Sequence, residues 1–213
     1  MSQSKQTAGR SGPPPPRSAR RTPAAERILE TAERLFYADG IGRVGVDTIV
    51  AESGVAKATL YAHFRTKDEL VAAYLASRSG RQRELLEPLR RGDAPPGDRI
   101  LAAFARRAES LASPEWRGCA FINAHVEYPG PGGIVRDTVD DHRAWIHGFF
   151  YELATQAELA DPKDAATRLA MIWDAAAVTA TFDDPEAVAG RAAALARGVL
   201  HERGQGPTVS ARR

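Results

Sequence analysis

The sequence predicts an all-α fold, and three observations carry that prediction. Capping residues followed by proline occur at Thr22-Pro23, Ser113-Pro114, Asp161-Pro162 and Asp184-Pro185. There the missing proline N–H is an orphan donor anyway, and the fixed φ suits a first helical turn. Apolar residues recur at three- and four-residue spacing, as in Ile28, Leu29, Ala32, Leu35 and Phe36, which puts them on one helical face. Alternating β-branched runs, the mark of a half-buried strand, are missing. About nine helices are expected.

Residues 1–21 are rich in Ser, Gly, Pro and Arg, contain the run Pro13-Pro14-Pro15-Pro16, and carry Lys5, Arg10, Arg17, Arg20 and Arg21 with no acid. Such a segment buries too little apolar surface to offset chain entropy and reads as a disordered basic arm. It is either a solubilising tail or an arm that reaches DNA phosphates. A first helix is expected over Pro23–Ala38, ended by Asp39-Gly40, with Gly40 suited to a left-handed C-terminal cap. Two short helices follow at about 46–52 and 57–63. Thr66-Lys67-Asp68-Glu69 is a capping box, in which Thr66 accepts from the amide of residue 69 and Glu69 reaches back. It opens a longer helix with Leu70, Val71, Tyr74, Leu85 and Leu89 on the apolar side. The stretch Gly92–Gly97 breaks the chain, as does Tyr128–Gly133, both through Pro and Gly. Helices are expected at about 98–112, 114–127, 134–160, 162–182 and 185–203, and residues 204–213 read as a frayed, disordered tail.

Composition narrows the function classes. Of 213 residues, 43% are hydrophobic and 26% charged, with a formal net charge of +2, the profile of a water-soluble globular chain. No apolar run approaches the ~18–20 residues that span a bilayer, and the polar N-terminus lacks a signal-peptide core, so a cytoplasmic location is expected. The single cysteine, Cys119, rules out an internal disulfide and a multi-cysteine metal site. Residues 22–67 carry six basic and six acidic side chains, and 68–213 carry 18 and 21. The excess positive charge therefore sits in the arm. No Gly-rich phosphate loop, nucleophile elbow or metal-ligand spacing is present, so neither an enzyme nor a bound metal or cofactor is implied.

The informative stretch is 46–64. Two short helical segments meet at Ser53-Gly54-Val55, the pattern of a helix-turn-helix. Ile49 and Val50 face the core from the first segment, Val55 seals the turn, and Leu60 and Phe64 anchor the second. Ala56, Lys57, Ala58, Thr59, Tyr61, Ala62 and His63 are left at the start or outer side of the second helix, the positions that read a major groove.

The run Gly54-Val-Ala-Lys-Ala-Thr-Leu-Tyr-Ala-His-Phe-Arg-Thr-Lys-Asp-Glu-Leu70 closely resembles the DNA-binding signature of TetR/AcrR-family transcriptional regulators, and the resemblance covers residues 24–75. It implies an N-terminal three-helix helix-turn-helix DNA-binding domain joined to an α-helical ligand-binding and dimerisation domain. The boundaries expected are a basic arm at 1–21, a DNA-binding domain at 22–67, a ligand-binding and dimerisation domain at 68–203 and a tail at 204–213. By position, Thr48 is implied as a phosphate contact, Ala56, Lys57 and Ala58 lie nearest the base edges, Thr59, Tyr61 and His63 reach phosphate or groove wall, and Lys67 anchors a phosphate. Lys57 can donate to guanine O6 or N7, or to phosphate, and Ala58 can offer a methyl to thymine. The sequence departs from the family pattern at Gly45 and Ala56, where Thr and Ser caps are frequent; both hydroxyls are lost as phosphate donors.

For the body, the resemblance implies a small-molecule pocket and a dimer interface. Aromatic and polar residues converging between helices suit such a pocket. Phe121, Asn123, Glu127, His142, Trp145, Phe149 and Trp173 form the candidate set. The last two helices are Ala-rich, at Ala175–Ala177 and Ala192–Ala194, and small residues permit close approach in a homodimer. The partners implied are double-stranded DNA with a pseudo-palindromic operator, an unidentified small-molecule effector and a second copy of the chain, with no membrane. The expected activity is repression relieved by the effector. The alternatives are a helical protein–protein adaptor, or a redox or electrophile sensor acting through Cys119.

Overall fold

The computed structural model describes residues 22–202; the basic arm and the C-terminal tail inferred from sequence lie outside them. Among the described residues there are nine helices and no strand: α1 Pro23–Asp39, α2 Val46–Ser53, α3 Lys57–His63, α4 Lys67–Arg90, α5 Pro96–Leu111, α6 Ala120–Glu127, α7 Ile134–Gln156, α8 Pro162–Thr179 and α9 Pro185–His201.

The caps explain most of the boundaries. Thr22 Oγ1 accepts from the Ala25 amide at 3.2 Å, Asp161 Oδ1 from Lys163 and Asp164, and Asp184 Oδ2 from Ala187. Each satisfies donors that the first helical turn leaves unpaired. Thr66 Oγ1 accepts from the Glu69 amide at 3.1 Å. The Glu69 carboxylate reaches back one residue further than the capping box requires, to the amide of Arg65 at 2.9 Å. Gly40 ends α1 at φ 89°, ψ 148°, an extended mirror-image conformation rather than the expected left-handed helical one. That region is essentially confined to glycine.

The expected helix at 114–127 does not start at Ser113-Pro114. That pair opens a turn, in which the Trp116 amide donates to the Ser113 carbonyl at 2.9 Å. The Tyr37 hydroxyl then accepts from the Arg117 amide and donates to the Gly118 carbonyl, both at 3.0 Å. A tertiary partner thus takes the backbone groups a helix would use, Gly118 adopts φ 89°, and α6 begins only at Ala120. The α7 helix stops at Gln156 instead of about 160, because Glu158 turns to φ 53° and the Leu159 amide folds back onto the Ala154 carbonyl at 3.2 Å, a Schellman-type ending. The α8 helix ends at Thr179 rather than 182, in a turn closed by the Thr181 hydroxyl on the Val178 carbonyl. The α5 helix starts two residues early, at Pro96.

Two apolar cores are joined by α4. The first gathers Ile28, Ala32, Leu35 and Phe36 of α1 with Ile49, Val55, Leu60, Phe64 and the α4 residues Leu70, Val71, Tyr74 and Leu75, and continues into Phe121 and Ala124 of α6. The second holds Leu86 of α4 with Phe104, Phe149, Phe150, Leu153, Leu169 and Trp173. Leu85, expected on the apolar side, is 54% exposed. It neighbours Leu86 at about 100° around the helix, and only Leu86 meets the second core.

Candidate functional site

The α2–α3 unit is built as the spacing requires. Gly54 takes φ 64°, ψ 24°, the left-handed corner that lets two helices meet over a short turn. Ile49 and Leu60 are essentially inaccessible and Val55 and Phe64 are buried, so the inward face of the motif is fixed by packing. The opposite face is open: Thr48, Ala56, Lys57, Ala58, Tyr61 and His63 are exposed, and Thr59 is half-buried. Neither Gly45 nor Ala56 makes a side-chain cap.

Three of the candidate residues have partners. Lys57 Nζ donates to Asp47 Oδ1 at 2.6 Å, which raises its pKa, chiefly through that hydrogen bond. His63 Nε2 lies 3.1 Å from Thr22 Oγ1, tying the end of α3 to the N-terminus of α1, where the basic arm joins. Lys67 Nζ donates to the Ile41 carbonyl at 2.6 Å and lies 5.9 Å from the Phe36 ring centre. It clasps the α1–α2 loop, and its ammonium retains further donors.

Beside this head lies a cavity in two lobes, about 330 Å³ and 640 Å³, which share Gln82, Cys119, Phe121 and Trp173 as walls. The smaller lobe lies between α4, α5, the 113–119 segment and α8, and the larger between α6, α7 and α8. Of the pocket residues expected from sequence, Phe121, His142 and Trp173 line it. The Phe121 and His142 rings stack 3.5 Å apart at 4°, and His142 Nδ1 lies 3.0 Å from Ser79 Oγ. Burial, reinforced by Arg83, Arg107 and Arg143, pushes the His142 imidazole down to about 3, so it is neutral.

The other four lie outside these two lobes, although Asn123 and Glu127 together line a separate hollow of about 400 Å³ against the α1–α2 loop. Asn123 and Glu127 are exposed. Asn123 Nδ2 donates to the Arg117 carbonyl at 3.1 Å and supports the turn before α6. The Glu127 carboxylate accepts from the Ile41 amide at 3.1 Å and from the Gly42 amide, clasping the head; a Cβ at Gly42 would stand only 3.1 Å from Glu127 Oε2. Trp145 faces the guanidinium groups of Arg83 and Arg90, outside both lobes, and Phe149 is wholly buried in the second core. Cys119 is the half-buried N-cap of α6, on the wall common to both lobes.

Sequence reasoning missed Arg107. It is 7% exposed, lines the smaller lobe, and sits 4.7 Å from the Trp173 ring and 5.3 Å from that of Trp116. Burial pushes its pKa down from the ordinary arginine value, opposed by the neighbouring Cys119 thiol and Asp174 carboxylate. A signal was present: Ile100, Ala103, Phe104, Arg107 and Leu111 share one helical face, so the arginine interrupts an apolar stripe.

An outward recognition helix on a packed turn, beside a cavity whose walls hold that head, defines a helix-turn-helix DNA-binding protein. The family model described as "Bacterial regulatory proteins, tetR family" matches residues 28–74. The structure superposes on a TetR-family transcriptional regulator from Streptomyces coelicolor with a TM-score of 0.79 and 37% identity, over 83% of this chain and 94% of that one. A second TetR-type regulator, from Streptomyces avermitilis, gives 0.75 and 28% over 84% and 98%. A helix-turn-helix transcriptional regulator of Mycobacterium tuberculosis is 44% identical over 59 residues, 27% of this chain and 29% of that protein's length. The repressor DhaR of Mycobacterium sp. strain GP1 is 29% identical over 131 residues, 61% and 65% of the two chains. The match thus spans less than two thirds of the length of these curated relatives. The chain belongs to the TetR family of transcriptional regulators.

Proposed function

We propose that the protein is a dimeric repressor that reads a pseudo-palindromic operator through α3 and is released when a small molecule occupies the cavity beside the head. The observation that carries this reading is the position of the cavity. Its walls come from α4 and from the 113–121 segment, and both hold the DNA-reading unit, α4 through the shared core and the segment through Tyr37. Glu127, at the other end of α6, holds the α1–α2 loop. A ligand that displaces either wall moves α3. Lys57 and Ala58 are the candidate base readers, Thr48, Thr59, Tyr61 and His63 the candidate phosphate and groove-wall contacts, and the basic arm adds affinity that the charge-neutral head lacks. Phe121, His142 and Trp173 are candidate cavity contacts. Dimerisation through α8 and α9 is favoured by an exposed apolar stripe, with Met171 at 65%, Val178 at 44% and Phe182 at 83% exposure on α8 and its end, and Leu195 at 61% on α9. Repression as the sign of regulation draws on relatives named repressors, DhaR and the BepR of Brucella suis.

The test is selection of bound duplexes from a random DNA library with purified protein at near-physiological salt. Enrichment of an inverted repeat with half-sites about one helical turn apart, or a multiple of it, is expected. Recovery of no preferred sequence, or of a single unrepeated half-site, would overturn the reading.

A further inference from the structure

Two arginines among the described residues are buried, Arg99 and Arg107, and the Nε of each lacks an acceptor. Arg99, equally inaccessible, donates Nη1 to the carbonyls that end α4, Leu89 and Arg90, and Nη2 to Gln156. Arg107 differs. Neither its Nε nor its Nη2 has an acceptor among the described residues, and the indole N–H of Trp116 beside it has none. The Cys119 thiol and the Asp174 carboxylate lie near enough to act on the Arg107 charge, but neither accepts from Nε or Nη2, and buried donors left without an acceptor are costly. Nε–H and Nη2–H form one edge of the guanidinium, a pair of parallel donors that matches the two oxygens of a carboxylate. That edge has essentially no accessible surface of its own; the lobe beside it is lined by Trp116, Trp173, Phe121 and Leu86 together with polar residues, and its charged lining is mostly arginine: Arg78, Arg81 and Arg106 besides Arg107, against Glu115. Arg81 is already paired to Glu33 at 2.6 Å, Arg106 lies 3.4 Å from Glu109, and Arg78 lies over the Tyr37 ring at 3.9 Å with its own Nε unpartnered, so Arg107 is the buried charge of the four.

We infer that the smaller lobe takes an aromatic carboxylate, its carboxyl group held by the Arg107 guanidinium once the closed wall over it has yielded, its ring lying among Trp116, Trp173 and Phe121. This rests on the reading of the cavity as the effector site and specifies the chemical class of the effector. The wall that must yield on entry is the non-helical 112–119 segment, which carries Trp116 and leads into α6.

The probe is 2-naphthoate, with 2-naphthamide as its neutral isostere, titrated against the full chain without DNA and read by tryptophan fluorescence and calorimetry. Saturable binding of the carboxylate, at least about tenfold tighter than the amide, is expected, since a charge-assisted bidentate pair contributes that much or more. Arg107→Met keeps the side-chain volume and removes the charge. It should lose that preference by a similar factor while leaving amide binding unchanged, and Arg107→Lys should recover only part of it because the fork is gone. Arg107→Met should not lower the melting temperature, because an unpaired buried charge is replaced by apolar volume. Equal affinity for carboxylate and amide, no binding of either at millimolar concentration, or a marked loss of stability in Arg107→Met would each overturn the inference. Arg107-dependent binding that leaves operator affinity unchanged would sustain the carboxylate site and overturn the effector reading instead.

Discussion

Removing the Glu127 carboxylate should loosen the DNA-reading head without disturbing its core. Glu127 stands at the last turn of α6, and its two oxygens accept from the consecutive amides of Ile41 and Gly42 in the α1–α2 loop, more than eighty residues earlier in the chain. A hydrogen bond with a charged partner contributes about 1.5–3 kcal/mol when well shielded. Glu127 is exposed, so each bond here contributes at the low end of the neutral range, and the pair should be worth about 1 kcal/mol. With a urea m-value of about 1–3 kcal/mol per molar, Glu127→Ala should lower the unfolding midpoint by roughly half a molar. Hydrogen exchange localises the effect: the amides of Ile41 and Gly42 should lose protection, while those of Leu70–Leu75 in the core of α4 should keep theirs. Glu127→Gln, which retains one good acceptor oxygen, should fall between. An unchanged midpoint with unchanged exchange at Ile41 and Gly42 would show that α6 does not hold the head through this side chain.

Three further outcomes follow from the geometry. The His142 imidazole titrates near 3 in the fold against 6.5 when free, so the unfolded chain binds the extra proton. Stability from this group is complete above about pH 6.5 and is lost as pH falls toward 3, by at most about 4–5 kcal/mol; His142→Phe should flatten the pH dependence of the denaturation midpoint between pH 4 and 6.5, and an unaltered slope would remove His142 as the cause. Lys57→Ala should relax base preference at one operator position and cost about 1–3 kcal/mol of specific affinity. His63→Ala should weaken all sequences alike, and the two patterns separate in a competition assay against mutated half-sites. Replacing Phe182 and Leu195 by Arg should convert the protein to a monomer by sedimentation and weaken operator binding, whereas a dimer that survives both changes would place the interface elsewhere.

The head was legible in the sequence because its roles are local. A turn glycine, two anchors at i and i+4 and a capping box fix α2, α3 and the start of α4 within twenty-five residues, and the outward residues follow by subtraction. The body was less legible where distant groups intervene. Ser113-Pro114 looks like a helix start by itself, and only the Tyr37 hydroxyl, folded against residues 117 and 118, decides otherwise. Asn123 and Glu127 share one face of one helix as expected, and that face meets the 117–118 turn and the 41–42 loop and lines a separate hollow there, not the two lobes beside Phe121. Helical periodicity gives the face and says nothing about what stands opposite. Trp145 and Phe149 likewise lie on the expected stripe, with the second core and two arginines against them. Arg107 could have been found, since a charge on an apolar stripe requires an explanation that a leucine would not.

The same tertiary contacts that defeated local reading explain how a ligand could act at a distance. Between the cavity and the head run three latches from one stretch of chain. Tyr37 binds the 117–118 turn, Glu127 binds the 41–42 loop, and the Tyr128 hydroxyl donates to Asp68 at 3.0 Å in the first turn of α4. Cys119 and Phe121, on that same stretch, line both lobes. The three latches contain five hydrogen bonds, each worth about 0.5–1.5 kcal/mol net, so releasing all three requires about 2.5–7.5 kcal/mol. Inverting a 1:99 equilibrium to 99:1 takes about 5.5 kcal/mol of differential binding, and in a dimer two sites share that requirement. A ligand of modest affinity, if it binds only when the 112–119 wall has moved, is sufficient to change the orientation of α3. A ligand that fits the closed wall equally well changes nothing, however tightly it binds.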